Sequence, residues 1–100
     1  MRRLLVLAGC AVLCCCQAPH PAFRADAAGG QAAFRGYCAP CHNADSGQRK
    51  VGPGLKGLFH RENEAHIRAK IYGGGNGMPA FRDALSGPEE DGLIEYLKTL

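Results

Sequence analysis

No stretch of this 100-residue chain alternates apolar and polar side chains as a half-buried strand would. That argues against a sheet and for an all-α domain. There is no internal repeat and no low-complexity tract, so a single domain is expected rather than an array. No cysteine follows Cys41, and four of the six cysteines crowd between Cys10 and Cys16. The rest of the chain therefore has no disulfide framework. No apolar run approaches the ~20 residues that a bilayer-crossing helix needs. The longest, Leu4 to Cys16, has thirteen. A surplus of one charge is missing too: between Ala28 and Leu100, nine Lys and Arg side chains face eight acidic ones. Nothing in that balance suits a nucleic-acid partner, which calls for a basic patch or stripe.

The apolar run has a different use. Arg2 and Arg3 precede it, a polar segment containing proline follows, and Ala25-Asp26-Ala27 offers a small-residue cleavage site. The pattern is that of a secretory signal peptide, residues 1–27, cut after Ala27. Cys10, Cys14, Cys15 and Cys16 act there as small apolar filler. Leu7-Ala8-Gly9-Cys10 also reads as a lipobox, which would leave a lipid anchor on Cys10. The apolar run continues past that cysteine, however, so the cleaved peptide is the preferred reading. The paired arginines alone are weak evidence for twin-arginine export. A functional domain of 73 residues, 28–100, remains; it has no transmembrane segment and is small enough to need a staple.

Cys38-Ala39-Pro40-Cys41-His42 supplies one. C-x-x-C-H is the attachment pattern of c-type haem. Two thiols three positions apart on a helical turn can add to the two vinyl groups of one porphyrin, and the adjoining His42 can offer a ring nitrogen to the iron. One covalent haem c, with its iron, is expected per chain. A thioredoxin-like dithiol would need a βαβ setting, which is lacking. A zinc site would have to recruit His60 and His66, whose spacing is not finger-like.

Three helices are expected, over 29–38, 64–72 and 88–98. Asn63 caps the second, which carries Ile67 and Ile71 one turn apart and stops at Gly73-Gly74-Gly75. Ser86 and Glu89 form a capping box on the third, whose apolar face holds Leu93, Ile94, Leu97 and Leu100. The segment 43–63 is long for a structureless loop, so something should hold it, and the haem edge is the expected candidate. Met78 is the only methionine after Met1 and stands between Gly77 and Pro79. A thioether there suits the second axial position, because a soft neutral ligand favours ferrous iron and raises the potential.

Together these residues resemble the class I c-type cytochrome family, the small bacterial monohaem kind. The resemblance covers residues 28–100. It implies a small cytochrome c fold, three main helices wrapped round one covalently attached haem. Gly30 and Phe34 match the positions that pack the first helix on the last, where Leu93 and Tyr96 match their partners. Gly52-Pro53-Gly54-Leu55-Lys56-Gly57-Leu58-Phe59-His60-Arg61 resembles the family's G-P-x-L-x-G-L-F-G-R. The likeness implies that the Pro53 carbonyl orients His42 and that Arg61 sits near the haem propionates. The chain departs from the long forms: only sixteen residues separate Arg61 from Met78. A more open haem edge and a lower potential follow. The function implied is a periplasmic, monomeric carrier of one electron, with iron ligated by His42 and Met78. It has redox partner proteins but no small-molecule substrate, and it is not an enzyme. Arg49, Lys50 and Lys56 would border the haem edge and steer an acidic partner. The alternatives are a cytochrome subunit bound permanently to a dehydrogenase or oxidase, and a ligand-binding haem sensor or peroxidase-like protein.

Overall fold

The computed structural model describes residues 25–100. The expected leader up to residue 24, with its lipobox cysteine, lies outside the described residues. Helix α1, Ala27–Ala33, starts where the Asp26 carboxylate accepts the Gly29 N–H at 2.9 Å. It runs on as a single wide turn of π-helix, Phe34–Cys38, closed by the Ala39 N–H donating to the Phe34 carbonyl at 2.8 Å. The expected α-helix to Cys38 is thus corrected in kind. The last five residues bond one position further along, a local bulge frequent beside functional residues.

A 3₁₀ turn, Leu58–His60, precedes helix α2, Glu64–Gly73. Asn63 caps α2 by accepting the His66 N–H at 2.8 Å. Gly74, with φ of 63°, ends it in a conformation that a side chain would strain. Helix α3, Gly87–Leu97, carries the complete capping box of Ser86 and Glu89, with Pro88 in its first turn. Helices α2 and α3 start within one residue of their expected bounds because capping chemistry, the strongest local signal, marks both starts.

Helix α1 packs on α3. A Cβ on Gly30 would collide with the Gly92 carbonyl, so the two backbones cross almost in contact. Beside the crossing, the Phe34 and Tyr96 rings lie tilted with centroids 5.3 Å apart. Leu93 and Ile94 are the most deeply buried side chains, 1% and 0% exposed. On the outer side, Arg68 of α2 reaches Glu90 and Asp91 of α3 at 3.1 and 2.9 Å, and Lys98 returns to Glu64 at 3.0 Å. These pairs, part-buried at Arg68–Glu90 and otherwise exposed, link α2 to the end of α3 and each stabilises the fold little.

The segment 43–63 is not structureless. The Leu55 N–H donates to the Asn43 carbonyl at 2.8 Å, and the Gly57 N–H reaches the Leu100 carbonyl at 2.9 Å. Lys50 Nζ donates to the Ala39 carbonyl at 2.9 Å. The segment thus carries hydrogen bonds of its own, where the haem edge had been the expected anchor. Among the described residues only ten apolar side chains are buried. Several of them, Leu55, Leu58, Ile67, Ile71, Leu93 and Leu97, also line a cavity instead of filling the interior. No described helix is long and apolar enough to cross a membrane.

Candidate functional site

That cavity encloses about 510 Å³, within the ~300–1,000 Å³ of pockets that bury a cofactor-sized ligand. Cys38, Cys41, His42, Pro53 and Met78 all line it. They come from three separate segments: the turn after α1, the loop before the 3₁₀ turn and the loop after α2. Tyr37 meets Phe81 edge-on at one side, ring centroids 5.8 Å apart. Arg49, Val51, Glu62, His66 and Lys70 bring charge and exposed surface to the lining.

The motif turn is held from within. Both the Cys41 and His42 N–H groups donate to the Cys38 carbonyl, at 3.0 and 2.9 Å. Cys38 and Cys41 are free thiols, each half-buried. Burial, helped by neighbouring Cys41, pushes the Cys38 thiol up to about 11. A dithiol working by exchange needs the opposite, a thiolate favoured near neutral pH. This pair therefore lacks the electrostatics of a thioredoxin-like centre. Nor is there a bare metal site: among the described residues no group of three or more His, Cys, Asp or Glu could hold an ion.

His42 is fixed more closely than its exposed neighbours. Its Nδ1 lies 2.7 Å from the Pro53 carbonyl. A carbonyl only accepts, so Nδ1 carries the proton and Nε2 keeps a bare lone pair, the form that ligates iron. Gly52 completes the clamp. A Cβ there would lie 2.5 Å from the ring Cε1 and 2.9 Å from Nδ1. Sequence reasoning passed over Gly52 as a residue of the site; its place beside Pro53 was the available signal.

Met78 ends a tight hairpin. Gly75 and Met78 exchange both backbone hydrogen bonds, at 2.9 and 3.1 Å, around Asn76 and Gly77 with φ of 52° and 86°. Two positive φ values in a two-residue loop define a primed turn, and Asn-Gly is its preferred sequence. That dipeptide could have revealed the hairpin, which was read only as a glycine-rich stretch.

Not every expected residue is at the cavity. Arg61 does not line it: its Nη1 and Nη2 donate to the carbonyls of Lys56 and Gly54, at 2.8 and 2.7 Å. Those bonds brace the loop that carries Pro53. Of Arg49, Lys50 and Lys56, only Arg49 lines the cavity. His60 is away from it, whereas exposed His66 lines its mouth and contacts Glu62 at 2.5 Å.

Residues 25–97 match a family model described as cytochrome c oxidase, cbb3-type, subunit III. The chain belongs to this family of c-type cytochromes. Among curated relatives, cytochrome c6 of Synechocystis sp. is 34% identical over 85 residues, covering 78% of this chain and 68% of that protein. Cytochrome c-550 of Bacillus subtilis is 38% identical over 47 residues, 47% of this chain. This cytochrome spans only 38% of the length of that relative. No solved structure matches at a comparable level. The cofactor of the family is covalent haem c with its iron, and these relatives are electron carriers. The cavity fits the group: two thiols, an imidazole with Nε2 free, a thioether and an apolar lining bear on one space.

Proposed function

We infer that this cytochrome carries one electron at a time between redox proteins of the periplasm, on a haem held by Cys38, Cys41, His42 and Met78. The observation that carries this reading is the 2.7 Å contact between His42 Nδ1 and the Pro53 carbonyl, in a cavity that both thiols and Met78 also line. Bound haem supplies a reversible one-electron change at its iron. Cys38 and Cys41 would hold the group covalently, each S–H adding across one vinyl double bond to give a thioether with no leaving group. His42 would ligate through Nε2, and the Nδ1–H bond to Pro53 would make it a stronger electron donor, which favours ferric iron. The Met78 sulfur favours ferrous iron, and the apolar lining works the same way by disfavouring net charge. Held by both His42 and Met78, the iron would offer substrate chemistry no open site.

Arg61 is best read as the brace of the Pro53 loop, since its guanidinium is spent on two carbonyls. At the cavity, Arg49 stands near Val51, an apolar side chain 71% exposed. A cation beside exposed apolar surface suits brief docking of an acidic partner. A leader within residues 1–27 directs export and is then removed; a cut after Ala27 itself would take the Asp26 cap of α1 with it. A second reading, a subunit held permanently in an oxidase, is favoured by the description of the family model. Gel filtration of the natively expressed protein separates the two: a lone small species means a carrier that diffuses.

The test of the site is direct. Expressed with cytochrome-maturation machinery, the exported protein should be red and heavier than its peptide by one haem. Cys38→Ala with Cys41→Ala should yield no covalently bound haem. A colourless wild-type product with the mass of bare peptide overturns the reading.

A further inference from the structure

Residues 73–77 are Gly-Gly-Gly-Asn-Gly, so no side chain of this run can anchor the hairpin in the core. Glycine gives up more backbone freedom on ordering than any other residue. Yet the hairpin ends on Met78, whose sulfur must stay in one place if it is to hold iron. Something outside the hairpin has to fix it.

Lys70 is placed to do so. It stands half-buried on the last turns of α2 and lines the cavity. Its ammonium donates to the Gly75 carbonyl at 3.0 Å. The same carbonyl accepts the Met78 N–H at 3.1 Å, and the Gly75 N–H donates to the Met78 carbonyl at 2.9 Å. One cation therefore grips the arm of the hairpin to which Met78 is doubly bonded. The helix behind it is firm, because Ile67 and Ile71 are buried and Arg68 is paired with α3. Lys70 joins no ion pair among the described residues, and Glu62, the acid at the same lining, is engaged by His66. Its charge is thus directed to a backbone carbonyl. The backbone adds only the helix cap, Gly74 N–H to the Lys70 carbonyl at 2.8 Å, and a bond beyond the ligand, Phe81 N–H to the Ile71 carbonyl at 2.9 Å.

We propose that Lys70 is a positioning residue for Met78: its hydrogen bond to Gly75 holds the hairpin closed and so sets how readily the sulfur yields its place to an added ligand. This rests on Met78 as an axial ligand. Carbon monoxide competes with that sulfur for ferrous iron. Its apparent affinity rises in proportion as the sulfur-bound state is weakened.

The experiment titrates carbon monoxide against the reduced holoprotein and records the sulfur-to-iron charge-transfer band of the oxidised form. Lys70→Leu keeps the apolar stem and removes the donor. It should raise carbon monoxide affinity about fivefold, as expected for losing one net hydrogen bond, and weaken the band. Lys70→Arg should restore both. Lys98→Leu, which removes two surface ion pairs on α3's far side, is the control for general loosening. Should Lys70→Leu fail to accumulate, Lys70→Gln, whose shorter amide falls short of Gly75, carries the same expectation. Met78→Ala separates the two layers of the argument. If it raises affinity steeply while Lys70→Leu matches wild type, the tether is wrong and the ligand stands. Equal effects of Lys98→Leu and Lys70→Leu also overturn the tether. If Met78→Ala matches wild type, the ligand assignment falls and the tether with it.

Discussion

Gly52→Ala isolates one physical cause. The backbone of Gly52 lies outside the positive-φ range that penalises a side chain, so alanine meets no conformational strain there. What it meets is the imidazole of His42, with Cε1 at 2.5 Å and Nδ1 at 2.9 Å from the new carbon. Real carbon contacts of that kind sit near 3.5–4 Å, so the ring must withdraw by about 1 Å or the loop must lift. Either movement lengthens the 2.7 Å bond to the Pro53 carbonyl. Overpacking of this kind costs about 1–3 kcal/mol of stability. The redox consequence has its own sign. The Pro53 bond makes His42 more basic and favours ferric iron, so weakening it raises the reduction potential. If about 1 kcal/mol of that bond distinguishes the two oxidation states, the rise is about 40 mV for a one-electron couple. Voltammetry and thermal melts on purified holoprotein measure both quantities. Gly36→Ala is the matched control, since nothing lies within 4 Å of its added carbon; it should leave the potential alone. A Gly52→Ala protein with parental potential and melting temperature would show that the ring is not clamped by the loop.

Gly30→Ala should be the costlier glycine change, because its Cβ would collide with the Gly92 carbonyl where neither helix can give way. A loss near the top of the ~1–3 kcal/mol overpacking range lowers the melting temperature by roughly 10 °C or more, measurable by circular dichroism. Arg61→Met removes two charge-assisted bonds to the Pro53 loop. Stability should fall by about 1–2 kcal/mol in denaturant melts, with the pH dependence of the potential unchanged; a changed dependence would return Arg61 to the propionates. Hydrogen bonds from Lys98 and then Arg68 hold the Glu64 carboxyl below its ordinary range. The folded state therefore resists protonation there more than the unfolded chain, and this stability is present above about pH 4.3 and drains as pH falls through the lower folded value. Glu64→Gln should flatten the acid limb of a stability–pH curve.

What could be read from the sequence depended on whether the information was carried by side-chain type or by backbone geometry. The starts of α2 and α3 were legible because Asn63 and the Ser86–Glu89 pair satisfy N–H groups that any helix leaves open. Cys38, Cys41, His42 and Met78 could be singled out because their chemistry is unusual at that spacing, and Pro53 through the family resemblance; all five line one cavity. The start of α1 was placed two residues late, since Asp26 had been read as part of the export signal rather than as a cap. The π turn was hidden, because a shift of one hydrogen bond from Phe34 to Ala39 has no residue signature. The bonds that Arg61 makes were hidden for a related reason. A guanidinium serves a propionate or two carbonyls equally well, and the segment's own fold, invisible in the sequence, put the carbonyls of Gly54 and Lys56 within reach.

The same division explains why so small a chain needs its cofactor. Six of the ten apolar side chains buried among the described residues also line the cavity, so much of the apolar surface faces a space that protein alone does not fill. A close-packed interior is where dispersion and burial contribute their stability. Here protein packs closely on protein at the α1–α3 crossing, where Ile94 is wholly enclosed and Gly30 meets the Gly92 backbone. The other half of the core is a mould whose contents are covalently tied. It follows that the segments around the mould, the Pro53 loop and the Met78 hairpin, should be the parts most stabilised by haem, while the α1–α3 crossing changes least. Hydrogen exchange on apoprotein and holoprotein would show this as protection gained at Gly52 to Leu58 and at Gly75 to Phe81 but hardly at Gly30 to Phe34, which line the α1–α3 crossing and not the cavity. A uniform gain across all three would mean that the crossing, too, is built on the cofactor.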